Sequence, residues 1–274
     1  MRLTVLVVPA ADAELAADRL WTAGAGAVEE TALGEMVELR TCLAQDDERS
    51  RERLGPVASS WAVTFVDVDE APSEAWRNHA RPVTVGERLV LRPAWYPAGD
   101  DPDVTEIAIE PAGAFGLGDH PTTRLAAAEV DRRCRPGDRV LDAGCGSGVL
   151  SIIAARRGAA AVVAVDVAEA AREATLHNAR RNGVGDLVAA STTPVADLTG
   201  EYDLVVANIL APVLVSLAAD LARLTAPGGH LVVSGVLRDR WDHVADALAM
   251  EVVDVSELGE WAAVTFRRRD RAAC

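Results

Sequence analysis

Cysteine is scarce in this sequence. Cys42, Cys134, Cys145 and Cys274 are the only four, and no two stand in C-x-x-C spacing. That excludes a disulfide framework and a zinc ribbon and predicts free thiols. The five histidines are equally dispersed, His177 and His230 each standing alone, so no metal centre is expected. Positive charge is in deficit, with 27 Lys+Arg against 42 Asp+Glu and a formal net charge of −15. A phosphate backbone would be repelled, so direct nucleic-acid binding is not expected, whereas a basic protein partner would be attracted. No apolar run approaches the roughly 18 residues of a membrane span, and Pro9, Asp12 and Glu14 follow the first short apolar run too closely for a signal peptide. Internal repeats and low-complexity segments are missing too. The expectation is a monomeric cytoplasmic protein with no membrane partner.

The chain is 274 residues long, half of them hydrophobic and a quarter charged, which allows one large globular domain or two smaller ones. Residues 1–68 read as a small unit. Leu3–Val8 is a strand and Ala11–Ala23 a helix broken by Gly24 and Gly26. Ala27–Thr31 and Met36–Cys42 are strands joined at Gly34, Asp46–Leu54 is a short helix stopped by Gly55-Pro56, and Trp61–Val68 is a last strand. The order βαββαβ predicts a ferredoxin-like α+β sandwich, a fold that names no function but suits recognition. Pro72, Pro82, Pro93, Pro97 and Pro102 punctuate residues 69–108, which read as a connector with a helix over Ser73–His79 and a strand over Arg88–Leu91. From 109 to 274 strands alternate with helices. Arg139–Asp142, Ala161–Asp166, Leu187–Ala190, Tyr202–Ala207 and His230–Ser234 predict an α/β domain with a mostly parallel sheet and helices on both faces. Glu251–Val255 and Trp261–Phe266, parted by Leu258-Gly259, read as a closing hairpin.

The chemistry concentrates in Val140-Leu-Asp-Ala-Gly-Cys-Gly-Ser-Gly-Val-Leu150. A strand, a glycine turn and a helix start follow one another there, an arrangement that lets a ligand approach backbone N–H groups with no Cβ in the way. Gly144, Gly146 and Gly148 run G-x-G-x-G, whereas a dinucleotide fingerprint is G-x-G-x-x-G. Asp166 closes the second strand 166 − 144 = 22 positions beyond the first glycine, where a carboxylate can take both hydroxyls of a ribose. Asp142 precedes the turn, and a carboxylate beside these glycines suits a ligand bearing an ammonium better than one bearing phosphates. S-adenosyl-L-methionine meets that description. Asn208, at the end of Val205-Val-Ala-Asn-Ile-Leu210, lies at the tip of a strand facing the ligand crevice, though an Asn there also suits a helix N-cap. Phe115-Gly-Leu-Gly-Asp-His-Pro-Thr-Thr123 is a glycine-bearing loop before a helix at about Arg124, capped by Thr122 or Thr123, and it has the composition of a lid over a cofactor, with Phe115 among its contacts.

Together FGLGDHPTT, VLDAGCGSGVL, VDV, VVANIL and LVVSGVL, with WRNHARPVTVGERLVLRPAW over residues 76–95, resemble the PrmA family of methyltransferases, which modify protein eleven of the large ribosomal subunit. The resemblance implies a class I, Rossmann-like methyltransferase sheet, S-adenosyl-L-methionine as cofactor, and amines of a ribosomal protein as acceptors. It implies that Thr123, Gly144, Asp166 and Asn208 contact the cofactor. To these our own reading of the turn and loop adds Asp142, Gly146 and Phe115. One departure is Leu117, where the family's loop usually has threonine. Related lysine methyltransferases, such as that for the electron-transfer flavoprotein β-subunit, share much of the pattern, so another protein acceptor is the alternative. An NAD-dependent oxidoreductase and a non-catalytic binding protein are the readings from other classes. Asn208, a neutral acceptor that orients an amine without favouring its ammonium form, is the candidate catalytic residue, while His120 is a possible proton acceptor or a structural loop residue.

Overall fold

The computed structural model describes residues 2–23, 25–43, 60–67, 80–110, 116 and 118–270. The chain divides into two compact units, residues 1–79 and 80–274. In the first, β1 (Arg2–Pro9), β2 (Ala25–Leu33), β3 (Met36–Leu43) and β4 (Val63–Asp67) form a sheet in the order β2-β3-β1-β4, every neighbouring pair antiparallel. This is the ferredoxin-like strand order. Helix α1 (Ala13–Thr22) buries Ala13, Ala16, Ala17 and Leu20 against Leu6, Val8 and Leu39. The expected Asp46–Leu54 and Ser73–His79 helices lie outside the described residues.

The second unit is built on seven strands: β8 (Arg139–Ala143), β9 (Ala161–Val165), β10 (Val188–Ser191), β11 (Tyr202–Asn208), β12 (Thr225–Leu237), β13 (Glu251–Leu258) and β14 (Trp261–Arg267). Their order is β10-β9-β8-β11-β12-β14-β13, and β14 alone runs against the rest. The sheet is buried on both sides, which is why its strands read as continuous apolar runs rather than alternating ones. Val140, Val162, Leu204, Val206 and Val232 enter one core with Ala126 and Val130 of α2 (Pro121–Arg133), Ile152 and Ile153 of α3 (Val149–Arg156) and Ala179 of α4 (Glu169–Arg181). Their neighbours Leu141, Val205, Ala207, Leu231 and Val233 enter the other, with Leu214, Ala218 and Leu221 of α5 (Ala211–Leu224) and Val244 and Leu248 of α6 (Asp242–Leu248). No helix among the described residues is long and apolar enough to cross a membrane.

Where the prolines read as a connector, the described residues form a further small sheet, β5 (Val83–Val85), β6 (Leu89–Pro93) and β7 (Thr105–Ile109) in that order. Val85, Leu89, Leu91, Ile107 and Ile109 are buried in the same core as Val140 and Val162. The prolines punctuate the ends of these strands, and the period-2 burial of Leu89 and Leu91 is too short to stand out between them.

Within the large sheet the strands run outward from β8 in two directions, through β9 and β10 on one side and through β11 and β12 on the other. The crevice at such a switch point opens at the carboxyl ends of the two central strands. Those ends carry Asp142 and Asn208.

Candidate active site

Asp142 reaches its place fully buried. Its Oδ2 accepts hydrogen bonds from the Ser151 N–H at 3.0 Å and from the Ser151 hydroxyl at 2.6 Å. Helix α3 starts behind Gly148, which has no side chain to cap it, so Asp142 does so from upstream, with its charge favourably placed at a helix N-terminus. The other oxygen, Oδ1, is buried with no hydrogen-bond partner among the described residues. Burial pushes the Asp142 carboxyl up to about 6, against the two Ser151 bonds. An orphaned buried oxygen is costly until an N–H reaches it.

Gly144, Gly146 and Gly148 take φ of +81°, +53° and +82°, a region L side chains avoid. Space excludes a side chain as well: a Cβ on Gly144 would stand 2.3 Å from Ile209 Cγ2, and one on Gly148 2.9 Å from Thr175. These two glycines answer first to the protein's own packing, which presses the turn between the Asn208-Ile209-Leu210 segment and helix α4. Beyond β9, Asp166 turns back toward this turn. Its Oδ2 accepts the Gly146 N–H and its Oδ1 the Ala168 N–H, each at 3.0 Å, and each oxygen keeps a lone pair for a further donor. Val167 next to it is 96% exposed.

Helix α2 begins at Pro121 rather than near Arg124, and its cap is His120 rather than Thr122 or Thr123. Proline is preorganised for the first helical position, and His120 Nδ1 lies 3.3 Å from the Thr122 N–H it accepts and 2.7 Å from Thr122 Oγ1. Burial lowers the His120 pKa, against Asp119, which leaves the ring neutral at pH 7 and Nδ1 an acceptor. Since Nδ1 is engaged as the cap, proton abstraction through that nitrogen is excluded. The ring meets Trp261 edge-on, centroids 5.3 Å apart.

With capping left to His120, Thr123 points inward. It is fully buried, and Asn208 Nδ2 donates to its Oγ1 at 3.5 Å. One strand over, Ser234 stands in register with Asn208 and donates its hydroxyl to the Thr122 carbonyl at 3.0 Å. The tips of β11 and β12 are thus both tied to the first turn of α2. Ile209 is gripped from two sides, by Gly144 and by Gly235 (φ +88°), where a Cβ would come within 2.4 Å of the Ile209 carbonyl oxygen.

The structure brings Asn208 to Thr123 and Asp166 to Gly146, and places Asp142 under α3. Phe115 and Leu117 lie outside the described residues, while Gly116 and residues 118–123 are described. Sequence reasoning missed Gly235, Ser234 and Val167. All three stood inside quoted motifs, but only the third dimension shows Gly235 against Ile209. Gly235→Ala is expected to displace Ile209, and Asn208 with it, lowering turnover by about tenfold or more while the protein still folds. Initial rates beside a thermal melt check this, and wild-type turnover in a folded variant would refute it.

The family model for ribosomal protein L11 methyltransferase (PrmA) matches residues 10–269. The chain belongs to the PrmA family. The ribosomal protein L11 methyltransferase of Geobacter sulfurreducens is 42% identical over 202 residues, covering 73% of this chain and 67% of that protein. The one from Marinobacter nauticus is 40% identical over 242 residues, covering 84% and 81%. A crystal structure of a ribosomal protein L11 methylase from Lactobacillus delbrueckii subsp. bulgaricus matches with a TM-score of 0.64 at 30% identity, over 69% of this chain and 99% of that one. The PrmA match reaches residue 10, well upstream of the motifs at 76–95 and beyond. As a PrmA-family protein the chain is an S-adenosylmethionine-dependent protein methyltransferase.

Proposed function

We propose that this chain methylates amines of a large-subunit ribosomal protein, lysine ε-amines, the N-terminal amine or both, in keeping with the names of its relatives. The observation that carries the site assignment is the meeting of Asn208 with Thr123 at the strand tips, across from a glycine turn that presents a buried carboxylate oxygen with no partner among the described residues. The residues fit the cofactor. Among the described residues Asp142 Oδ1 lacks a donor, which an α-ammonium would supply, directly or through a water. Asp166 keeps acceptor capacity for two ribose hydroxyls. Exposed Val167 offers an apolar surface beside it for the adenine, and Gly144 and Gly146 let the ligand lie on the turn.

S-adenosylmethionine supplies the activated methyl group. The protein's part is to present a neutral amine in line with it, about 3 to 3.5 Å away. A lysine of pKa near 10.4 is neutral about once in 2,500 molecules at pH 7, an unfavourable factor of roughly 4.6 kcal/mol. A partly apolar site lowers that pKa, and so does a nearby positive charge. With its Nδ2 turned to Thr123, Asn208 offers Oδ1 to an amine N–H and aligns the lone pair without adding a negative charge. In this reading the ferredoxin-like unit recognises the acceptor, and the protein works as a monomer in the cytoplasm with no direct nucleic-acid or membrane contact.

The test is incubation with methyl-labelled cofactor and purified large-subunit proteins. This chain contains no lysine, so label found in methyl-lysine belongs to the acceptor. One labelled ribosomal protein is expected, together with binding of S-adenosylmethionine and none of NAD. Label confined to a protein outside the ribosome would refute the acceptor, and NAD binding in place of S-adenosylmethionine would refute the cofactor site.

Asp142 makes a second prediction. Its carboxyl is raised to about 6, so above that pH it carries the charge an ammonium needs, and below it the charge is lost. Affinity for S-adenosylhomocysteine should be flat above about pH 7 and fall by up to about tenfold per pH unit below pH 6. In Asp142→Asn the affinity should be weaker and this acid limb missing. Calorimetric titration from pH 5 to 8 decides, and a wild-type limb that survives in Asp142→Asn would rule Asp142 out.

A further inference from the structure

Helix α4 and its C-cap carry two asparagines one turn apart, Asn178 and Asn182, and the methyl-transfer reading has no use for either. Asn178 is fully buried. Its Oδ1 accepts the Glu110 N–H at 3.0 Å, and its Nδ2 donates to the Glu110 carbonyl at 2.8 Å and to the Ser147 carbonyl at 2.9 Å. Asn182 repeats the pattern on Ala108, accepting its N–H at 2.9 Å and donating to its carbonyl at 2.8 Å. The two carboxamides serve alternate residues along β7 and just beyond it as a neighbouring strand would, covering the free edge of the small sheet. The third bond of each goes elsewhere: Asn182 Nδ2 donates to the Asn178 carbonyl at 2.8 Å, whereas Asn178 reaches the glycine turn.

Thr175, fully buried and one turn before Asn178, donates its hydroxyl to the Gly146 carbonyl at 3.1 Å. Two successive carbonyls of the turn, Gly146 and Ser147, therefore point at α4 and are held there. In a trans peptide the N–H lies opposite the C=O, so fixing the Gly146 carbonyl aims the Ser147 N–H away from α4. Fixing the Ser147 carbonyl sets the Gly148 N–H on the Cys145 carbonyl, at 2.8 Å, which closes the turn. Gly148 lets α4 come close enough for both contacts, since a Cβ there would collide with Thr175.

We propose that Thr175 and Asn178 are positioning residues for the cofactor, setting the peptide orientations of the Gly144–Gly148 turn from behind, while Asn182 serves only the fold. This rests on the turn being the S-adenosylmethionine site. Asn178→Ala leaves the buried Ser147 carbonyl without its donor, and a loss of that kind corresponds to roughly tenfold or more in affinity once the turn relaxes. Thr175→Val keeps the shape and removes only the hydroxyl, so it carries the test should Asn178→Ala fail to fold.

The experiment measures the Kd of S-adenosylhomocysteine by calorimetry, KM and kcat for the cofactor, and the melting temperature, for the wild type, Asn178→Ala, Thr175→Val and Asn182→Ala. Expected are weaker binding and a raised KM with little change of kcat at saturating cofactor in the first two variants. Asn182→Ala should melt lower yet keep its Kd within about twofold of wild type. Unchanged Kd in Asn178→Ala and Thr175→Val, or equal weakening in Asn182→Ala, overturns the proposal. A wild-type protein that does not bind S-adenosylhomocysteine overturns the cofactor site itself and the inference with it, and is told apart because the defect precedes any mutation.

Discussion

Replacing Asn208 with Ala is expected to lower kcat by about a hundredfold, the usual consequence of losing the group that orients a reactant, with the melting temperature nearly unchanged. The fold should tolerate the change. Asn208 is half-buried at the very end of β11, and among the described residues the one hydrogen bond its side chain makes is the 3.5 Å contact to Thr123. Asn208→Asp is the sharper variant, because it keeps the size and the acceptor while adding a charge. A carboxylate beside the amine holds it as ammonium and moves its pKa up by about 1 to 3 units. Each unit removes tenfold of the neutral, reactive form at neutral pH. Asn208→Asp should therefore be slow at pH 7 and recover toward alkaline pH, its rate profile displaced by that interval. Full activity at pH 7 would end the neutral-acceptor argument.

What the sequence made legible was governed by distance along the chain. Val140–Leu141 and Leu204–Ala207 declare themselves as strands because burial on both faces leaves them uniformly apolar, and the residues that follow them, Asp142 and Asn208, are polar and stand at the crevice. The hairpin of β13 and β14 was legible for a similarly local reason, two apolar runs parted by Leu258-Gly259. Features that depend on tertiary approach were not legible. The turn's glycines read as a floor for a ligand, whereas two of them are required by Ile209 and Thr175. Thr122 and Thr123 have the better capping side chains, yet His120 takes the cap because Pro121 occupies the first helical position directly after it. Asp142 reads as a ligand for the cofactor, and half of its carboxylate turns out to cap a helix. Asn178 and Asn182 read as indifferent helix residues, since nothing local shows that a strand edge passes beside them.

The largest expected effect on stability lies away from the crevice, at Glu129 of α2, the helix that also presents Thr123. Glu129 is buried, and its carboxylate accepts from Arg133 Nε at 2.8 Å, Arg132 Nη2 at 2.7 Å, Ser256 Oγ at 2.8 Å and Thr265 Oγ1 at 3.2 Å. These partners join α2 to β13 and β14, and Arg132 and Arg133 both also pair with Asp254. Burial alone would raise the Glu129 carboxyl, but the bonds from Arg133, Arg132 and Ser256 outweigh it and the net shift is downward. Replacing the carboxylate with the amide of Gln removes the charge and one of its two acceptor oxygens and sets an NH2 donor against the guanidinium and hydroxyl groups, a defect of about 3 kcal/mol for a partly buried ion pair broken from one side. For a chain of this size that corresponds to roughly 10 °C in melting temperature. Glu129→Gln should melt lower than wild type at pH 7. Because the folded-state pKa is depressed, the stabilisation is present in full above the unfolded value of about 4.3 and fades as pH falls through the folded value, so wild type and variant should converge on acidification. Melts at pH 7 and in a series carried well below about pH 4, through the depressed folded value, read both signs. Equal stability at pH 7 would mean that the two arginines find adequate partners without Glu129, leaving Asp254 to hold α2 against the terminal hairpin.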